Sequence, residues 1–278
     1  MDPNNIPPLI NPPAPEPAPA VSRWRWWLHL IILALFPLLI GALSYSHADD
    51  RKTALLPGSI AGLLSVSVYE LLFFGVLFLL AWLSSRVSAR QLLLKWRGGT
   101  RPFWLGLGYS IALRLGVAAI ATFVLVLWLL IHGGQSSDLL SARPQVEQIV
   151  NLSALANNPL YFILTITLIS FVVAGLREEL WRAGMFAGLN MLFPRLLTTV
   201  GGRLAAIGMV AVIFGLGHTA QGWGGVAITA LLGFGLGAIM VWYRSIWEAV
   251  LAHGFFDATT FVFLYWLAKF HANTLQSM

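Results

Sequence analysis

Gly175-Leu-Arg-Glu-Glu-Leu-Trp-Arg182 closes an apolar stretch that begins at Pro159 and is long enough to lie in a lipid bilayer. It contains two adjacent carboxylates, Glu178 and Glu179, with an arginine on either side. Ionisable side chains at membrane depth are costly and usually mark a functional site. The alternative is a helix end in water, where the charges only fix the topology. Two later stretches favour the first interpretation: Phe214-Gly-Leu-Gly-His218 and His253-Gly-Phe-Phe-Asp257.

The composition excludes several classes of protein. The chain has 278 residues, of which 58% are hydrophobic and only 10% are charged, whereas soluble domains carry about 25% charged residues. The net charge of +6 does not indicate nucleic-acid binding, because the basic residues gather at the ends of apolar segments. The chain has no cysteine, which excludes disulfides, thiolate metal ligands and a cysteine nucleophile.

The apolar segments predict an all-α, polytopic transmembrane bundle of about seven or eight helices, since each crossing needs roughly 20 residues. The fourth segment is too long for one straight crossing, so we expect a kink or a break near Gly175. A break there would turn seven crossings into eight helices. The predicted segments cover 27–45, 59–83, 103–132, 159–193, 204–220, 224–243 and 246–268.

The ends of these segments predict an orientation in the membrane. Residues 1–22 are rich in proline and predict a disordered N-terminal tail. Residues 23–158 then form the N-terminal transmembrane helices. The loop after the second segment holds only basic charges, so we place it and the N-terminus in the cytoplasm. Its basic residues are Arg86, Arg90, Lys95, Arg97 and Arg101.

Two further ionisable residues lie inside predicted segments. Glu70 is in the second segment and Arg114 is in the third. No motif surrounds either of them. We interpret both as residues that face a polar bundle interior, where the two could pair, rather than as members of the site.

Glu178 and Glu179 can supply a general base, because a carboxylate in a water-poor site can take a proton from water near neutral pH. Arg182 follows them by four and three residues, so on a helix it can reach either carboxylate. Arg182 would keep one carboxylate ionised while the other acts as the general base. The competing interpretation is a salt bridge within the helix that only eases insertion into the membrane.

The histidines complete a hydrolytic set of side chains. His253 and Asp257 are four residues apart and share one face of a helix, so Asp257 can orient His253. The imidazoles of His218 and His253 can donate to a developing oxyanion. Two histidines and a carboxylate could also bind zinc, but the His-Glu-x-x-His spacing is absent, so we expect no metal and no cofactor. The chain also lacks a Gly-x-Ser-x-Gly elbow and a P-loop.

The order Glu-Glu…Arg, Phe-x-x-x-His and His-x-x-x-Asp/Asn resembles the CAAX protease and bacteriocin-processing family of intramembrane endopeptidases. Ser245-Ile-Trp-Glu-Ala-Val-Leu-Ala-His253 also resembles that family's approach to its last motif. The resemblance implies that residues 159–270 form the catalytic transmembrane core. It also implies that Glu178 activates water, that His218 assists, and that His253 and Asp257 bind the oxyanion or orient the site.

One departure leaves the choice of base open. The family has three residues between its glutamate pair and the arginine, whereas only two residues precede Arg182 here. Alignment on the glutamate pair makes Glu178 the catalytic acid. Alignment on the arginine instead places Glu179, with a poorer fit, at the family's second glutamate position. It also makes Arg177 a candidate site residue. We assign Glu178.

The sequence thus predicts a multi-pass endopeptidase of the cell's inner (plasma) membrane, acting on a membrane-associated peptide or protein near its C-terminus. Two alternatives from other classes remain. One is a non-catalytic immunity or chaperone protein on the same fold, which would not need Glu178. The other is a small transporter whose intramembrane acids and histidines relay protons. A cavity closed on one side favours the protease, and a path open to both sides favours the transporter.

Overall fold

The computed structural model describes residues 21–46, 54–96, 98–132, 145 and 148–270. Within these ranges the chain is helical, and an isolated bridge between Leu56 and Val150 is the only β-type pairing. The predicted N-terminal tail lies outside the described residues, except for residues 21 and 22. The helices are α1 (Arg23–Ser46), α2 (Ile60–Ser85), α3 (Arg101–His132), α4 (Leu152–Asn157), α5 (Pro159–Leu192), α6 (Val200–Leu216), α7 (Gly222–Tyr243) and α8 (Trp247–Phe270).

Six of these helices are long and apolar enough to cross a membrane: α1, α2, α3, α5, α7 and α8. The prediction of an all-α, polytopic membrane bundle is therefore confirmed. The fifth predicted segment differs most from the structure, because α6 begins and ends four residues before it. Thr199 caps this helix by accepting a hydrogen bond from the Gly202 backbone N–H at 3.0 Å. His218 consequently lies in the turn after α6 rather than inside a helix.

We expected a kink or a break near Gly175; the long fourth segment is one continuous helix without a break. Asn158 caps α5 and Pro159 occupies its first turn, where a missing N–H costs nothing. Residues Thr165–Leu176 adopt π-helical geometry, and α-helical geometry resumes at Arg177. Gly175 instead allows α8 to approach, because a Cβ there would lie 3.0 Å from the Val250 carbonyl oxygen.

Interhelical contacts assign the loops to two ends of the bundle. At one end, the Arg23 side chain donates to the Leu192 carbonyl at 3.1 Å, and the Ile246 N–H donates to the Leu93 carbonyl at 3.1 Å. At the other end, Lys269 donates to the Ala156 carbonyl at 3.3 Å. The first end gathers basic residues from four chain segments: Arg23, Arg25, Arg86, Arg90, Lys95, Arg101, Arg195, Arg203 and Arg244.

Small residues set the closest helix contacts. At Gly215 of α6, an added Cβ would lie 2.7 Å from the Val226 carbonyl oxygen and 2.8 Å from the Ala230 Cβ of α7. Gly41 of α1 lies directly against the backbone of Leu216. Such contacts are typical of membrane helices, where close backbone approach drives association.

We predict that Gly215→Ala destabilises the protein, whereas Gly208→Ala on the same helix does not. The first substitution forces α6 away from α7, and overpacking of this kind costs about 1–3 kcal/mol. A Cβ at Gly208 meets nothing within 4 Å. Thermal unfolding of the two detergent-purified variants would test this, and equal melting temperatures would contradict the packing described here.

Candidate active site

The site forms where α5 and α8 cross. Glu178 and Glu179 lie in the first turn of the α-helical part of α5, directly after the π-helical stretch. π-Helical turns frequently accompany functional sites. On α8, His253 faces both glutamates. The close approach of the two helices at Gly175 and at Gly254, which packs against the Phe171 ring, brings these side chains within reach.

Glu179 is fully buried and held by two partners. His253 Nδ1 lies 3.0 Å from its Oε1, so Nδ1 carries a proton and donates to the carboxylate. The fully buried Arg182 forms an ion pair with the same oxygen, one turn further along α5. The Arg182 guanidinium also lies 4.6 Å from the centroid of the Phe214 ring. Glu179 is therefore fixed in the core rather than free to meet a substrate.

Glu178 has a different environment. Its Oε1 accepts from Arg177 Nη2 at 2.8 Å, and its Oε2 lies 3.8 Å from His253 Nε2. Its side chain keeps 13% exposure, and it lines a cavity of about 70 Å³ together with His218. This volume accommodates water molecules but is far smaller than a cofactor site.

Arg177 extends the cluster to a residue that sequence analysis left outside it. Its Nη1 lies 2.5 Å from Oε2 of Glu70 on α2, so one guanidinium bridges Glu70 and Glu178. The predicted pairing of Glu70 with Arg114 was wrong, because Arg114 donates to oxygens of α8 instead. Neither contact is visible in sequence, because both join helices that are far apart in the chain.

His218 reaches the site from the turn after α6. Its Nδ1 lies 2.9 Å from the Phe214 carbonyl oxygen, which orients Nε2 away from the helix end. The Phe214 ring centroid lies 4.6 Å from that of His218 and 6.3 Å from that of His253. The structure brings both histidines against one ring.

Asp257 follows His253 by one turn of α8. Its Oδ2 lies 3.6 Å from His253 Nε2, while Nδ1 of the same ring contacts Glu179. Carboxylates therefore face both nitrogens of His253, which limits rotation of the ring. Asp257 keeps 25% side-chain exposure, in contrast to the buried Glu179.

The first helix completes the cavity wall, which sequence analysis missed. Phe36, Pro37 and Ile40 of α1 line it opposite Glu178 and Trp181. Pro37 has no N–H, so the Leu33 carbonyl one turn earlier loses its partner within the helix. Trp181 Nε1 donates to that carbonyl at 2.8 Å. A helix defect in α1 thereby anchors α5 beside the two glutamates.

The turn that carries His218 is also tied to α1. The Thr219 hydroxyl donates to the Gly41 carbonyl at 2.5 Å, and Gly217 packs against the Pro37 ring. All six residues predicted for the site thus lie in one region: Glu178, Glu179, Arg182, His218, His253 and Asp257. In the described part of the chain, no group of three or more His, Asp and Glu side chains is arranged to hold a metal ion.

The comparisons with known proteins agree with the motifs. Residues 157–259 match the family model described as type II CAAX prenyl endopeptidase Rce1-like. No curated protein and no solved structure is significantly similar to the chain. The matched range covers α5 to the middle of α8 and contains every residue predicted for the site. The chain therefore carries an Rce1-like domain, which confirms the family resemblance inferred from its three motifs.

Proposed function

We propose that this protein is an intramembrane endopeptidase in which Glu178 activates the attacking water. The match of residues 157–259 to the Rce1-like family model supports a protease of the CAAX type. The observation that carries the assignment of the base is the contrast between the two glutamates. Glu178 lines the cavity with His218, whereas Glu179 is buried between Arg182 and His253. This contrast favours Glu178 over Glu179.

The reaction begins with a water molecule in the cavity between Glu178 and His218. Glu178 takes a proton from this water as the oxygen attacks the substrate carbonyl carbon. His218 orients the water through Nε2, because its Nδ1 is engaged by the Phe214 carbonyl. The C–N bond then breaks, and the proton held on Glu178 passes to the departing amine. Each peptide cleaved consumes one water molecule.

His253, oriented by Asp257, acts on the carbonyl oxygen as negative charge develops there. In this proposal His253 is an imidazolium, protonated at both nitrogens, and it donates from Nε2, the nitrogen that faces Glu178 and Asp257. Such a donor is most effective when it is held in place before the reaction. Glu179 provides that hold through Nδ1, and Arg182 in turn holds Glu179. Glu179 and Arg182 are therefore positioning residues in this proposal.

The substrate is a membrane-associated peptide or protein, cut near its C-terminus. The walls given by Phe36, Ile40 and Phe214 are apolar, which suits an extended segment with apolar side chains. We assign the glutamic type of protease, because Glu178 has its own arginine partner and adjoins space for water. A metal-dependent mechanism remains the competing proposal within the same family.

We predict that Glu178→Gln abolishes proteolysis and lowers the melting temperature less than Glu179→Gln does, because Arg177 keeps Glu70 as a partner. The substitution keeps the shape of the side chain but removes the base, which is worth about 10²–10⁴-fold in rate. Comparing the C-termini of membrane proteins by mass spectrometry, in cells that make wild-type protein or the variant at matched levels, would identify the substrates. The loss in rate is then measured with purified protein in liposomes.

Glu179→Gln is the matched control on the neighbouring residue. It leaves Arg182 buried without its partner, so it lowers the melting temperature as well as the activity. If Glu178→Gln retains wild-type activity and a chelator removes it, the metal-dependent mechanism replaces ours. If neither variant alters any C-terminus or any phenotype, the protein is an immunity or scaffold protein rather than this enzyme.

We also propose that the protein lies in the cell's inner (plasma) membrane, with the basic end of the bundle and the N-terminus on the cytoplasmic side. The support is the positive-inside rule applied to the basic residues gathered at that end. The chain lacks cysteine, so single cysteines can report the orientation without background.

We predict that Ser153→Cys reacts with a membrane-impermeant maleimide in intact cells, whereas Ala89→Cys reacts only after permeabilisation. Both positions are exposed, and they lie at opposite ends of the bundle. Labelling is read by a mass shift on a gel, with the cysteine-free chain as the blank. The reverse pattern would invert the orientation.

A further inference from the structure

Arg114 is a charged residue that the mechanism above does not use. It lies on α3, outside the matched Rce1-like range. The window of α3 with the highest hydropathy has none of its residues buried, so most of this helix faces lipid. A charge on such a helix is costly unless it has a partner or a purpose.

The guanidinium of Arg114 binds one turn of α8. Its Nη2 lies 2.6 Å from the Phe256 carbonyl oxygen, 2.7 Å from Thr259 Oγ1 and 3.0 Å from Thr260 Oγ1. Both hydroxyls donate their own protons to helix carbonyls, so their lone pairs are available to the arginine. The guanidinium also lies 4.4 Å from the centroid of the Phe256 ring.

This turn of α8 contains Asp257. Arg114 binds residues on either side of Asp257 in this turn, and Asp257 Oδ2 lies 3.6 Å from His253 Nε2. The link from α3 to the imidazole at the centre of the site therefore runs through this turn of α8. Asp257 keeps 25% side-chain exposure, and a nearby cation offsets the cost of an acid at membrane depth.

We propose that Arg114 is a positioning residue for proteolysis, which acts by fixing the α8 turn that carries Asp257 and thereby the orientation of His253. This inference rests on the proposed function. It makes α3 part of the catalytic apparatus rather than a lipid-facing support. A small displacement of a catalytic group can cost about 10²-fold in rate, so the effect appears in kcat rather than in KM.

The test uses full-length protein in liposomes and a substrate identified as described above. Arg114→Met loses at least about tenfold in kcat with KM nearly unchanged, as expected when an interaction acts only in the transition state. Arg114→Lys keeps the charge and recovers part of the loss. Tyr109→Phe is the control, because it removes another α3 contact, the 2.9 Å hydrogen bond to Tyr243 of α7, and leaves kcat unchanged.

A double-mutant cycle separates positioning from mere anchoring. If Arg114 acts through Asp257, Arg114→Met causes no further loss in an Asp257→Asn background. Losses that multiply would overturn the proposal, as would a wild-type kcat in Arg114→Met alone. In that second case, a Glu178→Gln variant that remains inactive shows that the proposed function still stands.

A readout that needs no substrate covers the case in which the proposed function fails. Diethyl pyrocarbonate modifies imidazoles, and mass spectrometry gives the rate at His253 in each variant. A released Asp257 frees the His253 ring, so Arg114→Met is modified several-fold faster than Tyr109→Phe. Equal rates in the two variants would overturn the inference, whatever reaction the protein performs.

Discussion

The ion pair between Glu179 and Arg182, closed by His253, is the interaction on which the site depends. It buries two charges beside each other on α5 and attaches them to α8 through one imidazole. Removing one partner from such a pair typically costs about 3–5 kcal/mol, because the remaining charge is stranded. Because Arg182 holds Glu179 within α5, the 3.0 Å contact between Glu179 and His253 sets the position of α8 beside it. The same contact brings His253 Nε2 to 3.8 Å from Glu178 Oε2.

Around that fixed pair, the cluster is arranged in layers of decreasing burial. Glu179 and Arg182 are fully buried, Glu178 and Arg177 keep 13% and 11% side-chain exposure, and Glu70 keeps 35%. Charge therefore alternates from the core of the bundle towards its surface. Each carboxylate is compensated by a neighbouring cation, so a cluster of high charge density can exist among apolar helices. Glu178, which lines the cavity, lies in the intermediate layer. Water can reach its carboxylate there, while Glu179 and Arg182 stay fully buried.

Much of this organisation is readable from the sequence. All seven predicted segments agree with the helices to within four residues at their starts, because apolar runs and charged ends are strong local signals. The three motifs identified the residues that meet in space. The π-helical stretch before Glu178 and the start of α6 at Thr199 depend on backbone geometry and capping, which hydropathy does not report.

The pairings between helices were harder to predict. Arg177 with Glu70 and Arg114 with the α8 turn each join residues more than a hundred positions apart. A single sequence offers several acids to each arginine, and only packing selects among them. Phe214 belongs to the second motif, but the sequence does not show that both histidines approach its ring.

The contacts made around Pro37 extend the structural unit of the site beyond the range that the family model matches. The matched range starts at residue 157, yet the carbonyl that receives the Trp181 indole and one wall of the cavity come from α1. A fragment limited to the matched range would leave that indole without an acceptor and would open Glu178 to lipid tails. The unit that encloses the cavity therefore includes α1. In related chains, residues at the two positions equivalent to Pro37 and Trp181 should change together.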